Sequence, residues 1–143
     1  MNITNSFNYK ESYMKLLLIL SMFASSAFAS KFDLDTYSTS LEFAQVTKVL
    51  ATQESSGNWC FGTSVIHNDE SWQHYADSWE VIDFEGKQLG YRKLVHPHDN
   101  EQPFTRSQCD IKIPSGVSQV IVRAKCNKHG YGGKALIVEL STN

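Results

Sequence analysis

From Leu41 onward the chain is written in short runs rich in Val, Ile, Phe, Tyr and Trp, punctuated by clusters of Gly, Asn, Asp, Ser and Pro. Period-two alternation within such runs predicts half-buried strands, and their regular spacing predicts an all-β antiparallel sandwich of about seven strands. The expected strands are 41–53, 59–67, 72–84, 88–95, 104–113, 118–126 and 135–140. In the second of these, Trp59, Phe61, Thr63, Val65 and His67 share one face, so His67 ends an inward row. In the sixth, Val120, Val122, Ala124 and Cys126 are in phase, which puts Cys126 at the end of another core-facing row. Leu136, Val138 and Leu140 point inward in the last.

Glu85-Gly86-Lys87 is read as the turn of a hairpin between the third and fourth strands. With the turn centred near Glu85 and Gly86, paired residue numbers sum to about 171. Extended to the end of the third strand, that register sets His74 opposite His96-Pro97-His98. No internal repeat and no second domain is visible.

The first thirty residues follow a different pattern. Met14-Lys15 precedes the apolar run from Leu16 to Phe23, and Ala27-Phe28-Ala29 supplies the small-residue pattern at which a signal peptidase cuts. Residues 1–29 are therefore expected to be a signal peptide, with 1–13 an extension ahead of it and 30–143 a single domain. The apolar stretch is about 14 residues, short of the ~20 a spanning helix needs, so no membrane association is expected after cleavage. A periplasmic or secreted product follows.

Composition changes this picture little. The 41% hydrophobic and 20% charged content suits one compact domain, and the net charge of −2 comes with no basic run, so a nucleic-acid partner lacks its electrostatic footprint. Three cysteines leave at least one without an internal mate.

The odd cysteine turns attention to chemistry. Cys126-Asn127-Lys128-His129 is a C-x-x-H unit at a strand end, a spacing from which a thiolate and an imidazole reach one ion. His67 and His74 flank a short loop, and the hairpin arithmetic brings His96 and His98 toward the same rim. Imidazole with thiolate suits iron, copper or zinc, whereas no carboxylate cluster recommends calcium or magnesium. Each ligating ring needs its second nitrogen held by an acceptor, for which Asp77 and Asp99 are candidates. A Cys60–Cys109 disulfide would leave Cys126 free. Equally, Cys126 is open to being an inert buried thiol, or the mate of either other cysteine.

The order His67, His74-Tyr75, Trp79-Glu80-Val81-Ile82 and Cys126-Asn127-Lys128-His129-Gly130 resembles the catalytic domain of the desulfoferrodoxin and neelaredoxin superoxide reductases. The resemblance runs from about Val65 to Lys134. It implies an immunoglobulin-like sandwich holding one iron through histidines and an axial cysteine thiolate, with an open position where superoxide is reduced to hydrogen peroxide. It carries ligand roles onto His67, His74, His129 and Cys126, and it implies an electron-donor protein as partner. The interval from His67 to His74 is one residue longer than that family's, its E-K-H-x-P loop is missing, and Tyr131 departs from its pattern. The missing loop leaves a fourth histidine to be supplied by His96 or His98.

The chain is also similar to small exported bacterial proteins of unassigned activity, some with Asp at the Cys126 position. Two other functions compete with superoxide reduction: a non-catalytic copper- or zinc-binding module, and an interaction domain without metal. No acid–base carboxylate pair, G-x-S-x-G, H-E-x-x-H or phosphate-binding glycine loop is present.

Overall fold

A computed structural model describes residues 33–141; the expected signal peptide, with its extension at 1–13, lies outside the described residues. Eight strands form: β1 Gln45–Gln53, β2 Trp59–Ile66, β3 Ala76–Ile82, β4 Gln88–Lys93, β5 Phe104–Ile111, β6 Gln119–Cys126, β7 Gly130–Tyr131 and β8 Leu136–Glu139. No helix occurs among the described residues.

The strands make two sheets, all of whose pairings are antiparallel. One has the order β1-β2-β5; the other runs β4-β3-β6, with β7 and β8 both pairing with β6. This is the β-sandwich the alternation predicts. Its core is built from the inward rows, Trp59, Phe61 and Val65 from β2, Trp79 and Val81 from β3, and Val120, Val122 and Ala124 from β6, all buried. Each large side chain removed from water contributes ~1.5–3 kcal/mol, so these rows hold the two sheets together.

The β3–β4 register follows the hairpin arithmetic: Ser78 pairs with Lys93, Trp79 with Arg92 and Glu80 with Tyr91. The pairing ends there. β3 starts at Ala76, not Trp72, because residues 71–74 close a tight turn with an isolated bridge between Ser71 and His74. The register therefore does not extend to His74.

Cys60 and Cys109 are joined in a disulfide between β2 and β5. Strict alternation along 104–113 would put Cys109 on the same face as Ile111 and Ile113, but a register irregularity intervenes. Phe61 pairs with Gln108 and Trp59 with Ile111, and Asp110 takes a positive φ of 58°. The extra residue returns Ile111 to the core and leaves Cys109 beside half-buried Cys60.

Candidate metal centre

Three chain segments deliver side chains to one rim of the sandwich. His67 follows the last residue of β2 and continues its inward row, as predicted, and it is 1% exposed. His74, 3% exposed, lies two residues before β3. Cys126 ends β6 opposite Ala76, is 1% exposed, and is a free thiol. The turn 127–129 then carries His129 back over it, its amide donating to Cys126 Sγ at 3.2 Å. Gly130 closes that turn with φ 72°, a conformation costly to any residue with a Cβ.

Asn127 explains why the turn and the His74 loop stay in contact. Its amide nitrogen donates to the Tyr75 carbonyl at 3.1 Å. Its side chain accepts from the Tyr75 amide at 3.0 Å and donates to the Trp72 carbonyl at 2.9 Å. The result is a three-bond clamp joining two segments some fifty residues apart in sequence.

The fourth element is the segment leading into β1. Gln45 pins it by donating to the carbonyls of Ser38, Ser40 and Phe43 and accepting from the Lys134 amide. A Cβ at Gly132 would strike the Phe43 ring and one at Gly133 the Ala44 carbonyl, so these glycines permit the close approach. This packing carries the Glu42 carbonyl oxygen into the middle of the cluster. It lies 3.3 Å from His67 Nε2, 3.5 Å from His74 Nε2, 3.4 Å from Cys126 Sγ and 3.0 Å from His129 Nδ1.

One carbonyl oxygen has two lone pairs and cannot satisfy four such groups. The conflict is sharper for two of them. His67 Nδ1 lies 2.6 Å from Asp69 Oδ1 and His74 Nδ1 lies 3.2 Å from Glu70 Oε2, so each ring donates through Nδ1 to a carboxylate. In a neutral ring that leaves Nε2 as a bare lone pair aimed at the carbonyl oxygen, acceptor against acceptor. Either a second proton on each ring or a metal cation among them would resolve the clash.

The spacing suits a transition metal. Ligand atoms of His67, His74 and Cys126 lie within 4.8 Å of one another, as do those of Glu42, His74 and His129. Two ligands on opposite sides of an ion at about 2.0–2.3 Å are themselves roughly 4–4.6 Å apart. The Cys126 Sγ–His129 Nδ1 distance of 3.8 Å is shorter, as for two ligands set at an angle rather than opposite one another. The rings of His67, His74 and His129 meet edge to face, with centroids 4.8 and 4.9 Å apart. On one side the cluster is open, since the side chains of His129 and Glu42 are 30% and 47% exposed.

The sequence reading placed two pairs of residues elsewhere. His96 and His98 do not join these groups. His96 is exposed and bonds the Pro97 carbonyl, while His98 is buried and stacks on Phe104 with centroids 3.9 Å apart. The chain leaves the sheet after Lys93, Leu94 making the last bond to β3 at the Asp77 carbonyl, and both histidines depart from the extrapolated register. Nor do Asp77 and Asp99 hold ligand rings. Asp77 pairs with Lys125 at 3.1 Å, and Asp99 is exposed.

Asp69 and Glu70 do that work instead, and the sequence reading missed them. Asp69 is buried and accepts from His67 Nδ1, the Ala76 amide at 2.9 Å and the His98 amide at 2.6 Å. Burial opposes its ionised form, but these hydrogen bonds outweigh burial and hold its pKa below the usual carboxylate value. Glu42 was missed as well. The available signals were an acid two residues after His67 and the Asn inside the C-x-x-H turn.

No family model matches the chain, and no solved structure matches it. A protein of Halomicrobium mukohataei named "Putative lipoprotein" is 36% identical over 107 residues, which cover 73% of this chain and 52% of that protein. The chain thus spans about half the length of that relative.

Proposed function

We propose that this protein is an exported, mononuclear transition-metal protein whose ion is held by His67, His74, His129 and Cys126. The observation that carries the reading is the convergence of three imidazole nitrogens and a thiol on one carbonyl oxygen. Similarity to a protein named a lipoprotein supports export, as does the signal-like segment at 1–29.

Iron is the metal that gives the site a reaction. Bound there, it would supply one-electron reduction of superoxide to hydrogen peroxide, with electrons from a donor protein. The chain's own residues would do the rest. Cys126 would donate electron density through its thiolate, which the His129 amide stabilises. Asp69 and Glu70 would keep the His67 and His74 rings turned so that Nε2 faces inward. The open side between His129 and Glu42 would admit a small anion. Support for this finer reading is the Cys-Asn-Lys-His-Gly turn and the sulfur donor.

A copper or zinc module without catalysis is the second reading. It is favoured by the four-donor set, which matches four-coordinate sites, and by the higher intrinsic affinity of copper for imidazole and thiolate.

Metal analysis of the untagged protein with its absorption spectrum separates them. A ferric form whose sulfur-to-metal band disappears in Cys126→Ser, with superoxide-dependent turnover, is the expected result. Stoichiometric copper or zinc without turnover selects the second reading; no bound metal overturns both.

A further inference from the structure

We propose that His98 is a positioning residue for the metal centre: carrying its proton on Nδ1, it fixes the Asp69 carboxylate, and Asp69 in turn sets the tautomer of His67. This rests on the metal-site reading for its purpose, though its first test needs no metal.

The geometry begins with an unpaired group. His98 Nδ1 is fully buried with no hydrogen-bond partner, and it faces Asp69 Oδ2 at 3.8 Å. A buried polar nitrogen left unpaired is destabilising, and closing this gap requires a shift of about one ångström. On the other side of the ring, Nε2 faces Glu101 Oε1 at 3.9 Å, and Glu101 is occupied by Arg106 at 2.7 Å. The two carboxylates compete for the ring's proton. Asp69 is buried and, among the described residues, meets no Lys or Arg, whereas Glu101 is half exposed and already neutralised, so the proton belongs on Nδ1.

One proton is all the ring has near neutral pH. Burial, then the positive field of Arg106 and of His96, hold its pKa below the ordinary histidine value against the opposing pull of Glu101 and Asp69. The backbone binds the same two segments together. The His98 amide donates to Asp69 Oδ2, and the Gln102 side chain accepts from the His67 amide while donating to the His98 carbonyl, both at 3.0 Å. Asp69 is therefore gripped on Oδ2 from the His98 side and presents Oδ1 to His67 Nδ1 at 2.6 Å. With Oδ1 fixed, His67 must donate through Nδ1, and its Nε2 is left bare toward the cluster.

The test uses the full chain in two substitutions. His98→Phe keeps a ring on Phe104 and removes both nitrogens; His98→Asn loses the stack but keeps a side-chain N–H near the Nδ1 position. In the metal-free protein, histidine ¹⁵N NMR should find His67 and His98 both protonated on Nδ1. In His98→Phe the Nδ1–H fraction of His67 should fall, and Co²⁺ affinity should drop about 3- to 10-fold, less than the 10–100-fold typical of a partner in direct contact with a ligand. His98→Asn should restore both while melting at a lower temperature. That opposition between affinity and stability would not arise from a merely structural role. An Nε2–H tautomer of His98 in the unsubstituted protein, or an unchanged His67 tautomer in His98→Phe, overturns the proposal. If no form binds Co²⁺, the metal reading fails, and the tautomer readings still decide the role of His98.

Discussion

Two polar clusters sit on the five-stranded sheet and its rim, and they are organised in opposite ways. Around Glu80, mid-strand on β3, donors and acceptors are matched. One carboxylate oxygen accepts from Arg123 at 2.7 Å and the other from Gln88 at 2.6 Å, while the Arg123 guanidinium lies 3.9 Å over the Tyr131 ring. Burial, with Glu80 beside it, pushes the Tyr131 phenol far above its usual range, so it stays protonated. Around the Glu42 carbonyl, four side chains share one oxygen and two of them offer it lone pairs. The first arrangement is complete as it stands and reads as structure. The second leaves more groups on one oxygen than it can satisfy, and that difference marks it as the candidate site.

The comparison can be broken from either side. The largest effect is expected at the matched cluster, where Arg123→Met strands a Glu80 side chain that is 6% exposed; unfolding free energy should fall by about 3 kcal/mol. Chemical denaturation measures this, and metal affinity should stay within about twofold, because its partners Glu80 and Tyr131 are not ligands of the proposed site. At the rim, Asp69→Asn should reduce metal affinity about 10- to 100-fold by freeing His67 to adopt the wrong tautomer, read by competitive Zn²⁺ titration. Asn127→Ala removes two side-chain hydrogen bonds of the clamp and should cost ~1–2 kcal/mol of stability with a several-fold loss of affinity, since His74 is then free to drift from Cys126.

The smallest effect is a pH dependence. His98 has a pKa lower in the folded chain than unfolded, so the unfolded state takes up its proton first. Its contribution to stability is complete above about pH 6.5, the unfolded value, and is lost as pH falls from there to the folded pKa. Thermal melts of the metal-free protein should show this slope, and His98→Phe should flatten it.

How far the sequence reached depends on what kind of order was being read. Alternation alone placed His67 and Cys126 at the ends of inward rows, because a strand's period of two is fixed by the backbone itself. The same arithmetic gave the β3–β4 register from Ser78 to Val81, with a one-residue slip at Ile82. It failed where the strands stop. Residues 71–74 close a turn stitched to Asn127, and past Lys93 the chain departs from the sheet, so His98 meets Asp69 rather than the ligand group and His96 stays exposed. The bulge at Asp110 broke the phase of Cys109 for a related reason, since one inserted residue reverses every later side chain. Glu42 was invisible for a different one, since it acts through a chain crossing that no local spacing encodes. Asp69, two residues after His67, was within reach of local spacing.

The central claim is that imidazole nitrogens and one sulfur close on a single ion. X-ray absorption at the metal edge of the untagged protein, with its metal content, tests it most directly. The account expects one transition-metal ion per chain with one sulfur neighbour and imidazole nitrogens, the sulfur shell vanishing in Cys126→Ser. A protein that retains no metal, or an ion with no sulfur neighbour, would contradict it.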